Sequence, residues 1–233
     1  MSYLLHVFLL LFVTPLFAQE VITVSQMKKV MTGQDLSNSI SWDTIPRQHL
    51  LAVSPLGRVE GEVTIVDGLM LTSTVTNKGK VKMARQWGVK SPFAVYAYVP
   101  EWEAFELEVA LENEMDLQKL IEKWALQNGY DVENPIPFKV EGDFDKIGYH
   151  IISKPKKEKV HNHDLHKKAK KMFYLTDVKG QLVGFYSKYH EGVFTHKGQF
   201  THTHFVDHEQ KNMGHLDEIS VSGKLILYLP KQS

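Results

Sequence analysis

Three histidines, His202, His204 and His215, stand in the run Thr201-His-Thr-His-Phe-Val-Asp-His-Glu-Gln-Lys-Asn-Met-Gly-His215 at a spacing that suits a metal ion. Alternate residues of a strand share one face, so His202 and His204 present two imidazoles side by side. The polar stretch from Asp207 to Gly214 predicts a turn, and His215 then returns on the neighbouring strand as a third ligand. Three protein ligands with one position left open is the donor set of a catalytic zinc site. A competing reading takes Glu209 in place of His215, because His-x-His followed after four residues by Glu imitates the first half of a cupin motif. The glycine that follows is too close for that motif, and no Pro-x-Gly-x-x-His partner occurs. Twelve histidines in 233 residues make chance pairs common, so the residues alone leave both readings open.

The elements that must carry these side chains are mostly strands. Glu62 to Val66 and Leu69 to Val75 read as strands hinged at Asp67-Gly68, and Asn77-Lys-Gly79 predicts a further turn before Lys80 to Arg85. Phe93 to Val99, Phe138 to Gly142, Gly180 to Tyr186 and Lys224 to Leu229 are further strands, the last closing a sheet or barrel. One helix is predicted after Asp116 as N-cap. Leu117, Leu120, Ile121, Trp124 and Ala125 fall at helical spacing, and Gly129 stands where a C-cap belongs. That stripe predicts a helix packed on a sheet.

Composition excludes several classes. With 43% hydrophobic and 23% charged residues and a formal net charge of zero, the chain is neither disordered nor a nucleic-acid-coating protein. Residues 1–18 carry an apolar run from Val7 to Val13 and a small residue at Ala18, so they read as a secretory signal cleaved after Ala18. An exported protein with no stable membrane span follows; an uncleaved anchor is the alternative, because the first residues lack Lys and Arg. There is no cysteine, so the fold must rest on its core. Residues 154–171 hold eight lysines against two acids and mark the clearest boundary. They read as a solvated linker turning helical near its end, between a lobe of residues 19–153 and one of residues 172–233. The alternatives are an anionic-surface patch or a second metal site of His161, His163 and His166.

Five ordered landmarks then carry a resemblance. Leu56-Gly-Arg-Val-Glu-Gly-Glu62 with Asp67-Gly68, Ser91-Pro-Phe93, Phe138-Lys-Val-Glu-Gly-Asp-Phe144, Val178-Lys-Gly-Gln-Leu-Val-Gly-Phe185, and His202-Thr-His-Phe with Gly214-His215 follow one another along the chain. In this order and spacing the chain resembles the alpha-acetolactate decarboxylase family of metal-dependent lyases. The resemblance implies an α+β fold, a mixed β-sheet lobe with one packed helix followed by a β-barrel-like lobe, with the site between them and a homodimer as the assembly.

Carried over residue by residue, the resemblance makes His202, His204 and His215 the zinc ligands and Glu62 a catalytic carboxylate. The family's catalytic arginine, eight positions after the glycine of the third landmark, falls on His150. A permanently charged fork is thereby replaced by a ring with one or two donors. The family's glutamate from a long carboxy-terminal tail has no counterpart before Ser233. The implied reaction is decarboxylation of 2-acetolactate or a related 2-hydroxy-3-keto acid to acetoin and carbon dioxide, with zinc or another divalent transition metal as sole cofactor. Glu62 would orient the substrate hydroxyl or relay a proton, and His150 would deliver a proton or hold the departing carboxylate. Lys139 is expected to be structural. The alternative is an exported, non-catalytic protein of the same fold that binds a metal or small ligand.

Overall fold

The computed structural model describes residues 20–158 and 160–232, so the signal-like residues 1–18 lie outside the described residues. In chain order the elements are β1 (Val21–Val24), α1 (Met27–Met31), β2 (Ile40–Ser41), β3 (Leu50–Pro55), β4 (Glu62–Val66), β5 (Leu69–Val75), β6 (Val81–Ala84), β7 (Lys90–Ser91), β8 (Ala94–Tyr98), β9 (Trp102–Leu111), α2 (Glu114–Gln127), β10 (Ile136–Ile152), α3 (His163–Ala169), β11 (Lys170–Tyr186), β12 (Thr201–Asp207) and β13 (Met213–Pro230). No helix among them is long and apolar enough to cross a membrane.

Two main sheets result, with a separate two-stranded pairing of β2 and β7, and the class is α+β. The first has the order β1-β8-β3-β4-β5-β6. Its pairs are antiparallel rather than mixed. Tight turns such as Asp67-Gly68, both at positive φ, reverse the chain between neighbours and enforce that direction. The second has the order β10-β11-β12-β13-β9, and β13 also pairs with β10, so four of its strands close into a ring. The boundary between the sheets falls between β8 and β9, whereas composition placed it at residues 154–171. Strands β9 and β10 precede the basic segment yet pair with β13, because a strand of eighteen residues is long enough to meet β12, β10 and β9 in turn.

Period-two alternation assigns each face. On β12, Phe205 points into the ring and packs with Phe144 and Tyr149, while His202 and His204 point out of it toward the first sheet. On β4, Val63 and Ile65 serve the core of the far face, leaving Glu62 and Thr64 to face the ring. The site is therefore sandwiched between two sheets, which explains why every residue of β12 is buried. Helix α2 closes one side of the ring core with Leu117, Ile121 and Ala125, each at most intermediate in size but fully buried. Burying a Leu or Ile side chain is worth ~1.5–3 kcal/mol. Its N-cap is Asn113, whose Oδ1 accepts the Asp116 N–H at 3.1 Å; Asp116 lies inside the first turn and accepts the Glu112 N–H. The Asp116 cap expectation was three residues late because both residues are good cap formers.

The basic segment is not a fully solvated linker. Lys154, His161, His166 and Ala169 are buried, and α3 starts at an Asn162 cap whose Oδ1 accepts the Leu165 N–H at 2.9 Å. The lysines at 167 and 168 face solvent while His166 and Ala169, three apart, face the protein.

Candidate metal centre and active site

The hairpin of β12 and β13 sets His204 opposite His215, and β10 sets His150 opposite His215 from the other side. Three histidines thus stand in one row across three strands, with His202 two residues along β12. Gly214 makes this row possible. A Cβ there would collide with the His150 carbonyl oxygen and lie 2.6 Å from Cδ2 of Tyr149. Gly214→Ala is expected to cost ~1–3 kcal/mol by overpacking and to displace His215 from His150. Chemical denaturation reads the first effect; a stability equal to wild type would show that the strands have slack at this crossing.

Each of the three predicted ligands has its Nδ1 engaged. His202 Nδ1–H donates to the Phe194 carbonyl oxygen, His215 Nδ1–H to the Leu216 carbonyl oxygen, and His204 Nδ1 shares a hydrogen bond with Thr64 Oγ1, each at 2.7 Å. A neutral imidazole that donates through Nδ1 keeps a lone pair on Nε2, the arrangement typical of metal-bound histidines. His204 Nε2 and His215 Nε2 are buried with no hydrogen-bond partner. Two orphaned lone pairs in a dry interface are costly unless a cation takes them.

Ring spacing agrees. Imidazoles binding an ion through Nε2 at ~2.1 Å and at tetrahedral angles have centroids ~5 Å apart. The centroids of His202 and His215 are 4.9 Å apart, those of His202 and His204 5.5 Å, and those of His204 and His215 5.8 Å. The donor set therefore fits a transition metal, as neutral nitrogen ligands suit zinc. Glu209 does not join it: the residue is exposed in the turn beyond β12 and pairs with Lys211.

Glu62 lies beside the triplet, with Oε1 accepting the Ile152 N–H at 2.9 Å and Oε2 4.0 Å from His204 Nε2. Burial raises its pKa to about 8. In the metal-free protein this carboxyl therefore holds its proton at neutral pH. His150, also buried, stacks on His215 with centroids 4.7 Å apart, and its Nδ1 lies 2.5 Å from Asp217 Oδ2. Gly148 pairs with Glu218 and Tyr149 with Leu216, so Asp217 is the extra residue of a bulge that aims its carboxylate at His150. His150, His215 and Asp217 also bring ligand atoms within 4.8 Å of one another. Asp217 is already committed to the His150 ring and to Lys170 Nζ at 3.5 Å, which makes it an orienter of His150.

Two groups join the site without having been singled out for it. His196, in the loop between β11 and β12, meets His215 edge-on with centroids 5.3 Å apart, and His166 reaches the same cavity from α3. Met27, Val30, Met31, Pro55, Phe93 and Ile152 supply its apolar walls. Lys139 stays apart, bound to Asp67 at 2.8 Å under the Trp102 ring.

The buried histidines predict acid sensitivity in the metal-free protein. Burial, reinforced by neighbouring histidines, lowers His202 and His166 to about 3 and His196 to about 4, with His204 and His215 well below the ordinary value. Below the unfolded value near 6.5 the unfolded chain binds protons that the folded chain refuses, so stability present above that pH is lost as pH falls. Glu62 and Glu114, raised by burial to about 8 and about 7, have the opposite sign and lose stability as pH rises from 4.5, two groups against five. Each histidine contributes up to ~1.4 kcal/mol per pH unit. Thermal unfolding without metal is expected to level off only above about pH 8 and to fall from pH 6.5 to 5. A melting temperature unchanged across that interval would contradict the buried, neutral histidine cluster.

Comparison with known proteins decides the relationship. The family model of alpha-acetolactate decarboxylase matches residues 21–229. The chain belongs to the alpha-acetolactate decarboxylase family. It is similar in structure to alpha-acetolactate decarboxylase from Bacillus subtilis strain 168, at 17% identity and a TM-score of 0.73, covering 91% of this chain and 85% of that one. A Staphylococcus aureus protein described as of unknown function and similar to alpha-acetolactate decarboxylase gives 16% identity and a TM-score of 0.73 over the same shares. None of the curated proteins compared with it matches. At such identities the likeness establishes the fold and a divergent place in the family. At the coarse level the family's chemistry is that of a metal-dependent carboxy-lyase acting on a small molecule.

Proposed function

We propose that the protein is a zinc-dependent decarboxylase of 2-acetolactate or a related 2-hydroxy-3-keto acid, releasing carbon dioxide and acetoin or its homologue. The observation that carries this reading is the set of three Nδ1-anchored histidines beside a buried Glu62 and an Asp217-oriented His150. Zinc held by His202, His204 and His215 would supply a Lewis acid for the negative charge that develops on the hydroxyl and keto oxygens.

The chain's own groups perform the proton work. Asp217 takes the Nδ1–H of neutral His150, so His150 Nε2 is left as an acceptor for the substrate hydroxyl. Glu62 accepts the Ile152 N–H at Oε1, which leaves Oε2 to carry its proton and to return one to the carbon that carbon dioxide leaves. Phe93, Met27, Val30 and Met31 exclude water from that carbon.

A second reading has an observation of its own. The cavity measures about 40 Å³, far below the ~300 Å³ at the lower end of ligand pockets, and α1 with Met27 and Met31 must yield before a hydroxy-keto acid is admitted. That tightness favours a non-catalytic metal-binding or small-ligand-binding protein. Metal analysis of the purified protein together with an acetoin assay on 2-acetolactate separates the two. Bound metal with acetoin formed supports the decarboxylase; bound metal without turnover supports the binding protein. Export rests on residues 1–18 alone, and a homodimer on the family resemblance.

A further inference from the structure

The cavity brings together an acidic group and several histidines but, among the described residues that line it, no lysine or arginine. A hydroxy acid nevertheless needs hydrogen-bond donors for its carboxylate. The three anchored histidines turn Nε2 lone pairs to the site, and neutral His150 another, so with Nδ1 already engaged none of these four has an N–H left for the cavity. His166 differs. Its Nδ1 lies 3.1 Å from His161 Nε2, and both rings are buried.

One proton occupies that bond, and the surroundings decide which ring owns it. His161 Nδ1 is buried and has no partner. If His166 were the donor, neutral His161 would carry its proton on Nδ1 as an orphaned N–H, whereas the reverse leaves only an unused lone pair. Orphaned buried N–H groups are rarer and costlier than under-used acceptors. His161 Nε2–H therefore donates to His166 Nδ1, and neutral His166 must carry its own proton on Nε2, the nitrogen that this bond leaves free.

We propose that His166, fixed as the Nε2–H tautomer by His161, is the neutral donor that binds the substrate carboxylate in this cavity, a specificity role drawn from the basic segment 154–171. The inference rests on the proposed decarboxylase reading for its ligand class, a small 2-hydroxy acid anion. Burial lowers His166 and keeps it uncharged at neutral pH. A neutral donor orients a carboxylate without the charge pairing that would stabilise it in the ground state, and so does less to oppose its loss as carbon dioxide.

The test reads tautomer and binding without turnover. In ¹⁵N-histidine-labelled, zinc-loaded protein, long-range ¹H–¹⁵N spectra should show His166 protonated at Nε2. 2-Hydroxy-2-methylpropanoate, an unreactive hydroxy acid, should shift that nitrogen on binding. His161→Phe should release His166 into a mixture of tautomers and weaken the analogue about ten-fold, in line with loss of a hydrogen bond to a charged group. His166→Gln, whose amide nitrogen reproduces Nε2, should bind within about three-fold of wild type, and His166→Leu about ten-fold worse. Protonation of His166 at Nδ1, an unmoved Nε2 resonance, no binding of the analogue to wild type, or equal losses in the Gln and Leu variants would each overturn the assignment. Absence of acetoin formation with all these results intact would count against the decarboxylase reading alone.

Discussion

Alanine at His202, His204 or His215 is expected to reduce bound metal from roughly one ion per chain to near zero, since each removes one of three nitrogen ligands. The three substitutions should act alike because each imidazole is held by its own Nδ1 contact. Among the described residues, His150 and His196 come within ring-packing distance of His215 alone of the three. Glu209→Ala should leave occupancy at the wild-type level, its carboxylate being exposed and paired with Lys211. Thr64→Val, which removes only the hydrogen bond to His204 Nδ1, should weaken metal binding ten- to a hundred-fold. Elemental analysis after dialysis against a weak chelator orders the series. Metal retained by His215→Ala and lost by Glu209→Ala would reinstate the cupin arrangement.

His150→Ala should lower the acetoin-forming rate by ~100- to 1000-fold, a large share of what a positioned acid or base contributes. The loss would appear in kcat with metal content unchanged, because His150 stacks on a ligand without being one. His150→Arg installs the residue type that the family resemblance implies for this position and places a guanidinium within reach of Asp217. It should hold the rate within about ten-fold of wild type, through a charged fork in place of an oriented acceptor. Burial, the largest influence on His150, lowers its pKa while Asp217 pulls it upward. The neutral acceptor is therefore lost as pH falls below the ordinary histidine range, and the arginine variant should lack that acid limb. A wild type and an arginine variant that both bind metal yet form no acetoin would end the decarboxylase proposal.

The legible part of the site was its local part. Alternation on β12, the turn after Asp207 and the return at His215 are fixed by neighbouring residues, and the clustering of the three histidines followed from them. Glu62 lies on another sheet, and only the order of five landmarks connected it with the histidines; strand periodicity carries no record of which sheet a strand joins. His166 was obscured by its lysine neighbours. Composition averages over a helix whose two faces differ, and a seven-residue helix holds too few turns for its buried face to stand out. The sheet boundary failed for a related reason: β13 runs without interruption through Gly223 and pairs with three different strands, which no turn signal announces. Asp217 owes its position to a bulge, a property of two paired strands rather than of either one.

The closed ring has a consequence for how the centre comes into being. Glu62, His150 and His215 are far apart in the chain and meet only after β13 has paired with both β12 and β10 and the ring has docked on the first sheet. Pairings between such distant segments close large loops and form slowly. A nascent or partly folded chain would hold His202 and His204 as a loose pair without the third nitrogen, so full affinity for the metal arises only at the last step of assembly. Metal capture would then act as a check on completed folding, and the ion the protein acquires would be set by the compartment in which the ring closes.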